Sequence, residues 1–240
     1  MLDIKYSIIT PVYNREDCIA RCVESVIQQS KNIHYEHIIV NDGSSDHTLD
    51  IIQDYSHRYD PYIRVINFSK NRGVNAARNA AIQSMQREYG IILDSNDYFV
   101  DTALADINEY HIKYPQYKHY MFSPDDCVDY YGTNKLLGNT KNGQIKELQY
   151  TDFLLNKISG EFIHVVHKQI LQMYPFNESL RIYEGLFFLR FYREEKVMLF
   201  CNRVVTIRER SRADSVSRDF LKTSLAVVQR SRLCKELKLE

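Results

Sequence analysis

The first hundred residues alternate between short apolar runs and segments whose apolar positions recur at helical spacing. Residues 6–10, 35–40, 63–66 and 90–93 are runs of apolar and β-branched residues, each followed by polar turn residues. Such runs read as strands buried on both faces. Between them, Ile19, Cys22, Val23, Val26 and Ile27 share one helix face behind Asn14, which is predicted to cap that helix, with Asp17 three residues on. A second helix is predicted after Asp46, with Leu49, Ile52 and Tyr55 inward. A third follows Gly73 and carries a small-residue face, Ala76, Ala77, Ala80 and Ala81, suited to close approach to a sheet. Strands alternating with crossover helices predict a right-handed β/α wind around a parallel sheet.

Parallel strands place all their carboxyl ends on one edge, and in open α/β sheets ligands collect there. Here each strand end carries polar chemistry. Thr10-Pro11-Val12-Tyr13-Asn14 follows the first strand and Asn41-Asp42-Gly43-Ser44-Ser45-Asp46 the second. Asn71-Arg72-Gly73, with Arg78-Asn79, follows the third, and Asp94-Ser95-Asn96-Asp97 the fourth. Asp94, Asn96 and Asp97 sit where a hard cation and a diphosphate can be held. Tyr13 can wall a planar base and Asp42 can accept from its edge, while Gly43 allows a tight turn and Ser44, Ser45 and Asp46 offer helix caps. Taken singly, each motif is equally an ordinary turn, a cap or a packing residue. One composite site at four consecutive strand ends is the reading that joins them.

These four stretches together resemble the signature of family 2 glycosyltransferases. The resemblance covers residues 4–100 closely and 160–217 more loosely. It implies an α/β GT-A (Rossmann-like) fold: a mostly parallel sheet flanked by helices, a smaller acceptor-side region and a C-terminal helix. It further implies transfer of a sugar, with inversion, from a nucleotide donor, usually a uridine diphosphate sugar. Carried over by position, Pro11 and Tyr13 flank the base, Asp42 meets the base edge, Arg78 lies near the nucleotide and Asp94 faces the ribose and diphosphate. The position of Asn96 normally supplies a metal-binding carboxylate. An amide brings no charge to Mn2+ or Mg2+, so either the metal is held weakly or Asp97 takes over as ligand alongside Asp94.

In the second half, residues 117–122 read as a fifth strand, and the polar stretch from Gly132 to Gly143 as a mobile loop or a passive connector. Glu184-Gly185 stands where the family has a Glu-Asp pair, one member of which is the catalytic base. An acceptor hydroxyl needs such a base as it attacks. Glu184 is the only carboxylate at the matched site, and it is a candidate base or, alternatively, a helix cap. Residues 197–200 and 204–207 read as two short strands leading into Arg208, Arg210 and Arg212. That basic stretch resembles the family loop that closes on the donor diphosphate, though a solvated charge run has the same pattern. The expected organisation is one domain over 1–217, with a nucleotide-binding half (1–100) and an acceptor-binding half (101–217). Residues 218–240 form a basic amphipathic helix that fits an anionic membrane surface, a partner, or its own domain. The final Lys238-Leu239-Glu240 carries no stop signal, leaving room for the natural chain to continue.

Composition limits the alternatives. The 240 residues are 44% hydrophobic, with 31 Lys+Arg against 31 Asp+Glu, so there is core enough for one domain and no charge excess to draw nucleic acid. No apolar run reaches spanning length, and no signal peptide precedes the first strand; a cytoplasmic protein, at most peripheral at the inner face of the membrane, is expected. The five cysteines are scattered without metal-ligand spacing, and His164 and His167 are expected to pack or lie at the surface, not ligate. The reading is a glycosyltransferase extending a glycan or lipid-linked acceptor, with a UDP-hexose or UDP-N-acetylhexosamine as donor and a divalent metal as cofactor. Its rivals are a non-catalytic sugar-nucleotide binder, which Asn96 and Gly185 favour, and a nucleotidyltransferase, whose Gly-rich triphosphate signature is missing.

Overall fold

A computed structural model of the chain describes residues 6–29, 33–125, 142–149, 152, 158, 161–179, 187, 190 and 195–209. The elements are β1 (Tyr6–Val12), α1 (Ile19–Ile27), β2 (Tyr35–Asn41), α2 (Thr48–Arg58), β3 (Ile63–Asn67), α3 (Val74–Ser84), β4 (Tyr89–Ile92), β5 (Tyr98–Phe99), α4 (Ala103–Lys113), β6 (His119–Pro124), β7 (Ile145–Gln149), β8 (Ile163–His167), α5 (Lys168–Met173) and β9 (Val197–Ile207). Among the described residues the strands form a single nine-stranded sheet of order β3-β2-β1-β4-β8-β6-β9-β5, with β7 paired to β9.

β1 lies between β2 and β4, and β3 extends the sheet beyond β2, all four parallel. Side chains alternate across the sheet as strand geometry requires. Ile8, Ile39 and Ile91 face α1, α2 and α4 on one side, whereas Ile9, Ile38 and Val40 face α3 and α5 on the other. The crossover helices therefore cover both faces, and the continuous apolar runs follow from that double burial. On α3, Ala76, Ala77 and Ala81 are buried as the small-residue face predicts, while Ala80 is only half-buried.

The second half extends the same sheet. β8 is antiparallel to β4 and to β6, and β9 is parallel to β6, so β6 and β9 run in the direction of β1 and β4. Their carboxyl ends, Pro124 and Ile207, therefore reach the edge at which β1, β2 and β4 also end. β5 and β7 complete the sheet as antiparallel partners of β9.

Two local expectations differ from the structure. Asn14 does not cap α1, which begins at Ile19 behind Cys18 with no side-chain cap. Asn14 instead holds a left-handed conformation, φ +50, and its Oδ1 accepts from the Ser45 N–H at 2.8 Å. The two short strands expected over 197–200 and 204–207 are one strand, β9. Its polar middle, Asn202, pairs with the Gln144 carbonyl through its N–H at 2.8 Å and accepts from Ser123 Oγ at 3.0 Å, beside the register shift in β6.

Candidate active site

The loops after β1 and β2 are knotted together before they can offer anything to a ligand. The Asn14 N–H donates to Ser44 Oγ at 3.0 Å and the Arg15 N–H to Thr48 Oγ1 at 2.7 Å. Asp46 accepts from the N–H groups of Thr48 and Glu16, and Glu16 accepts from that of His47. Pro11 lies near the end of the buried strand β1, beside Val40 and beyond the last residue of β4, where a missing N–H leaves no ladder gap. Tyr13 follows with 41% of its surface exposed, a ring free to face a ligand at the sheet edge.

Asp42 is buried, and its carboxylate binds main chain. Oδ1 accepts from the Arg72 N–H at 2.7 Å and Oδ2 from the Gly73 N–H at 2.9 Å. The acid thus fixes the turn that opens α3, leaving a carboxylate's remaining lone pairs for anything further. Gly43 beside it has φ +70, and a Cβ there would lie 2.4 Å from the Lys70 carbonyl carbon. No other residue fits this crossing of loops.

Arg78 projects from α3 into the core of the edge, buried, with Nη2 3.2 Å from Asp94 Oδ1 and its guanidinium 5.5 Å from the Phe176 ring centre. Asp94 itself is about half exposed, its side chain at 54%. Asp97 is the opposite case, 7% exposed. Burial, and then the negative charge of Asp94, push its carboxyl up to about 7 against the opposing pull of the Glu209 N–H and Arg208. Arg208 Nε stands 4.0 Å from Asp97 Oδ2, while its Nη2 pairs with Glu161 and its N–H donates to Asp125 Oδ1 at 2.9 Å. Asn96 lies between these groups, half-buried.

Tyr13, Asp42, Arg78, Asp94, Asn96, Asp97 and Arg208 therefore occur along one edge of the sheet, with Arg78–Asp94 and Asp97–Arg208 as direct pairs. Glu184, Gly185, Arg210, Arg212 and the helix expected over 218–240 lie outside the described residues, as does the stretch from Gly132 except Asn142 and Gly143. Three contributors were not read from the sequence. Glu209 bonds both Asp97 and Asn96, Asp125 holds the Arg208 main chain, and Glu161 pairs with Arg208. Each arrives through strands that only the second half of the sheet brings to this edge. The two histidines have separate duties: His164 Nδ1 meets buried His119 at 2.9 Å, and His167 caps α5.

Comparison with solved structures gives the fold. S. aureus TarS 1–349 in complex with UDP-GlcNAc matches with TM-score 0.70 at 20% identity, over 88% of this chain and 60% of that one. The mannosyltransferase PcManGT from Pyrobaculum calidifontis, in complex with GDP-Man and Mn2+, matches with TM-score 0.64 at 15% identity, over 94% of this chain and 64% of that one. The architecture is the GT-A fold. Residues 7–165 match the family described as Glycosyl transferase family 2, and the chain belongs to that family. It is 38% identical over 102 residues to a poly(ribitol-phosphate) beta-glucosyltransferase of Bacillus spizizenii, covering 42% of this chain and 16% of the relative. To the putative teichuronic acid biosynthesis glycosyltransferase TuaG of Bacillus subtilis it is 45% identical over 91 residues, 38% of this chain and 35% of the relative. The chain thus spans well under two thirds of these relatives. With the GalNAc(5)-diNAcBac-PP-undecaprenol beta-1,3-glucosyltransferase of Campylobacter jejuni it shares 26% identity over 216 residues, 89% of this chain and 67% of the relative.

Proposed function

We propose that this chain is an inverting glycosyltransferase that moves a sugar from a UDP-hexose or UDP-N-acetylhexosamine to a glycan or lipid-linked acceptor. The observation that carries this is the convergence of Arg78–Asp94 and Asp97–Arg208 on the edge where Asp42 and Tyr13 also lie. The UDP-GlcNAc complex of the TarS neighbour and the glucosyltransferase names of the relatives support the donor class.

In this reading Pro11 and Tyr13 flank the base, and Asp42 offers its spare lone pairs to the base edge. Arg78, Asp94 and Arg208 lie along the ribose and diphosphate. A guanidinium matches phosphate oxygens in the geometry that a departing diphosphate presents. Glu184 is the proposed base that takes the acceptor hydroxyl proton.

Mn2+ or Mg2+ is the proposed cofactor, held by Asp94 and Asp97, with the uncharged Asn96 between them. Burial, and then the charge of Asp94, raise the Asp97 carboxyl to about 7, and a cation shared by the two carboxylates would favour its ionised form. Among the described residues no three His, Cys, Asp or Glu side chains form a metal-binding group, so phosphate oxygens and water must complete the shell, as they commonly do for Mg2+. When bound, the cation supplies positive charge to the leaving diphosphate.

Release of UDP from UDP-sugars in the presence of Mn2+ is the test. Turnover by the wild type, with losses of at least about 100-fold in Asp94→Asn and Glu184→Gln, is the expected result for groups acting on charge and proton in the transition state. The commitment of the Asn96 NH2 to protein partners favours one second reading, a sugar-nucleotide binder without catalysis. Thermal stabilisation by UDP-sugar with no UDP release would establish that reading instead. No helix among the described residues is long and apolar enough to cross a membrane. Peripheral attachment at the cytoplasmic face through residues 218–240 is part of the proposal, and failure to float with anionic vesicles would remove it.

A further inference from the structure

Asn96 is spent on the protein itself. Its Nδ2 donates to Asp97 Oδ1 at 3.3 Å and to the Glu209 main-chain carbonyl at 3.2 Å. The Glu209 N–H donates to that same Asp97 oxygen at 3.0 Å. Both polar groups of the Glu209 main chain are thus gripped by two adjacent side chains of the turn between β4 and β5. Arg21 of α1 closes the arrangement from outside. Its Nη2 lies 3.2 Å from the Asn96 carbonyl oxygen and 3.3 Å from Glu209 Oε2, and its guanidinium stacks 4.5 Å from the Tyr98 ring centre.

Only a side chain with an N–H can do this at position 96. A carboxylate accepts but cannot donate, so aspartate would remove a donor from the Glu209 carbonyl and set another negative charge against Asp97. We infer that Asn96 is a positioning residue, a hydrogen-bond clasp that fixes the chain leaving β9 across the acidic turn. Arg208 precedes the clasped residue and is placed by it. The amide at 96 is then a requirement of this chain's own loop arrangement, in place of a charged cation ligand.

Amide exchange of Glu209 in the full chain, free of metal and nucleotide, reads the clasp directly. Asn96→Ala and Asn96→Asp should each exchange at least about tenfold faster than wild type there, the factor that corresponds to one lost hydrogen bond. Exchange in β1 should remain unchanged. Arg21→Ala, which removes the outer contacts to the Asn96 carbonyl, Glu209 Oε2 and Tyr98 but leaves the clasp itself, should give a smaller factor of about threefold and serves if either Asn96 variant fails to fold. The activity arm rests on the proposed glycosyl transfer: Asn96→Asp should lower kcat about tenfold at saturating Mn2+ with donor KM little changed, the pattern of a misplaced transition-state contact. Unchanged exchange at Glu209 in the folded variants overturns the clasp, as does higher turnover of Asn96→Asp at limiting Mn2+, which a ligand role demands. Absence of turnover in the wild type would refute the transfer reading alone, since the exchange measurement decides the clasp without it.

Discussion

At the scale of single residues, Asp42 shows how far a side chain's duty can lie from its apparent one. Its carboxylate meets the Arg72 and Gly73 N–H groups inside the protein. Removing it strands two donors, and each hydrogen bond to a charged group is worth about 1.5–3 kcal/mol. Asp42→Ala should therefore lower stability by about 3 kcal/mol in urea denaturation, whatever happens to nucleotide binding. Asp42→Asn keeps one acceptor and should lose about half as much. Gly43→Ala belongs to the same place, because its Cβ would collide with the Lys70 main chain at a positive φ. The sequence showed Asp42-Gly43 as a chemical turn but not its partner, which lies thirty residues on and is chosen by the parallel pairing of β2 with β3. Asn14 departs from its predicted cap for a related reason: its oxygen accepts from Ser45 across the loop, a contact that local capping rules do not contain.

At the scale of elements, α3 carries three kinds of information on one helix. Its alanine face, legible from periodicity, packs on the sheet. Its polar face was legible only as residue types. Asn79 grips the Phe176 main chain from both sides, Oδ1 accepting from the N–H at 2.8 Å and Nδ2 donating to the carbonyl at 2.9 Å. Asn75 Nδ2 adds a bond to the Asn177 carbonyl at 3.1 Å. Phe176 in turn stacks on Phe187 with centres 4.2 Å apart. The segment 174–179 is thereby laid along α3 as if it were a further ladder partner. Asn79→Ala should cost about 1.5 kcal/mol, the two bonds to the Phe176 main chain and a solvent-exposed one to Glu178 less the better helix propensity of alanine, read as a lower melting temperature. Asn79→Asp should cost more, because it loses the donor and adds a negative charge beside Glu178, which accepts from Asn79 in this structure. β9 shows the converse difficulty. Asn202 and Arg203 broke its apolar pattern in sequence, yet side-chain and main-chain partners from β6 and the turn before β7 carry the strand through.

At the scale of the whole molecule, the sheet is legible up to β4 because each strand there is next to one already placed by a short crossover. From β5 onward, pairing joins residues far apart in the chain, and no local period records that β9 runs beside β6 and ends at the ligand edge. The same burial that unites the two halves encloses histidines, and their titration tests the assembly. His37 meets Thr10 Oγ1 at 2.9 Å, and His111 meets the Tyr6 hydroxyl at 2.6 Å, stacked on its ring. Burial holds both down to about 3. His119 and His164, in contact with each other, are lowered in the same direction by burial. The unfolded chain binds these protons near pH 6.5 and the folded protein does not. Their stabilising contribution is therefore complete above that pH and is lost as pH falls from about 6.5 toward 3. At pH 5 each of His37 and His111 should cost about 2 kcal/mol relative to pH 8. Asp97 acts with the opposite sign: raised to about 7, it favours the folded state at low pH and loses that contribution as pH rises through 7. Urea midpoints should fall from pH 7 to pH 5, with His37→Gln flattening the fall and Asp97→Asn steepening it. A midpoint independent of pH over this range would mean that the histidines are wet, and hence that the two halves of the sheet do not close as described.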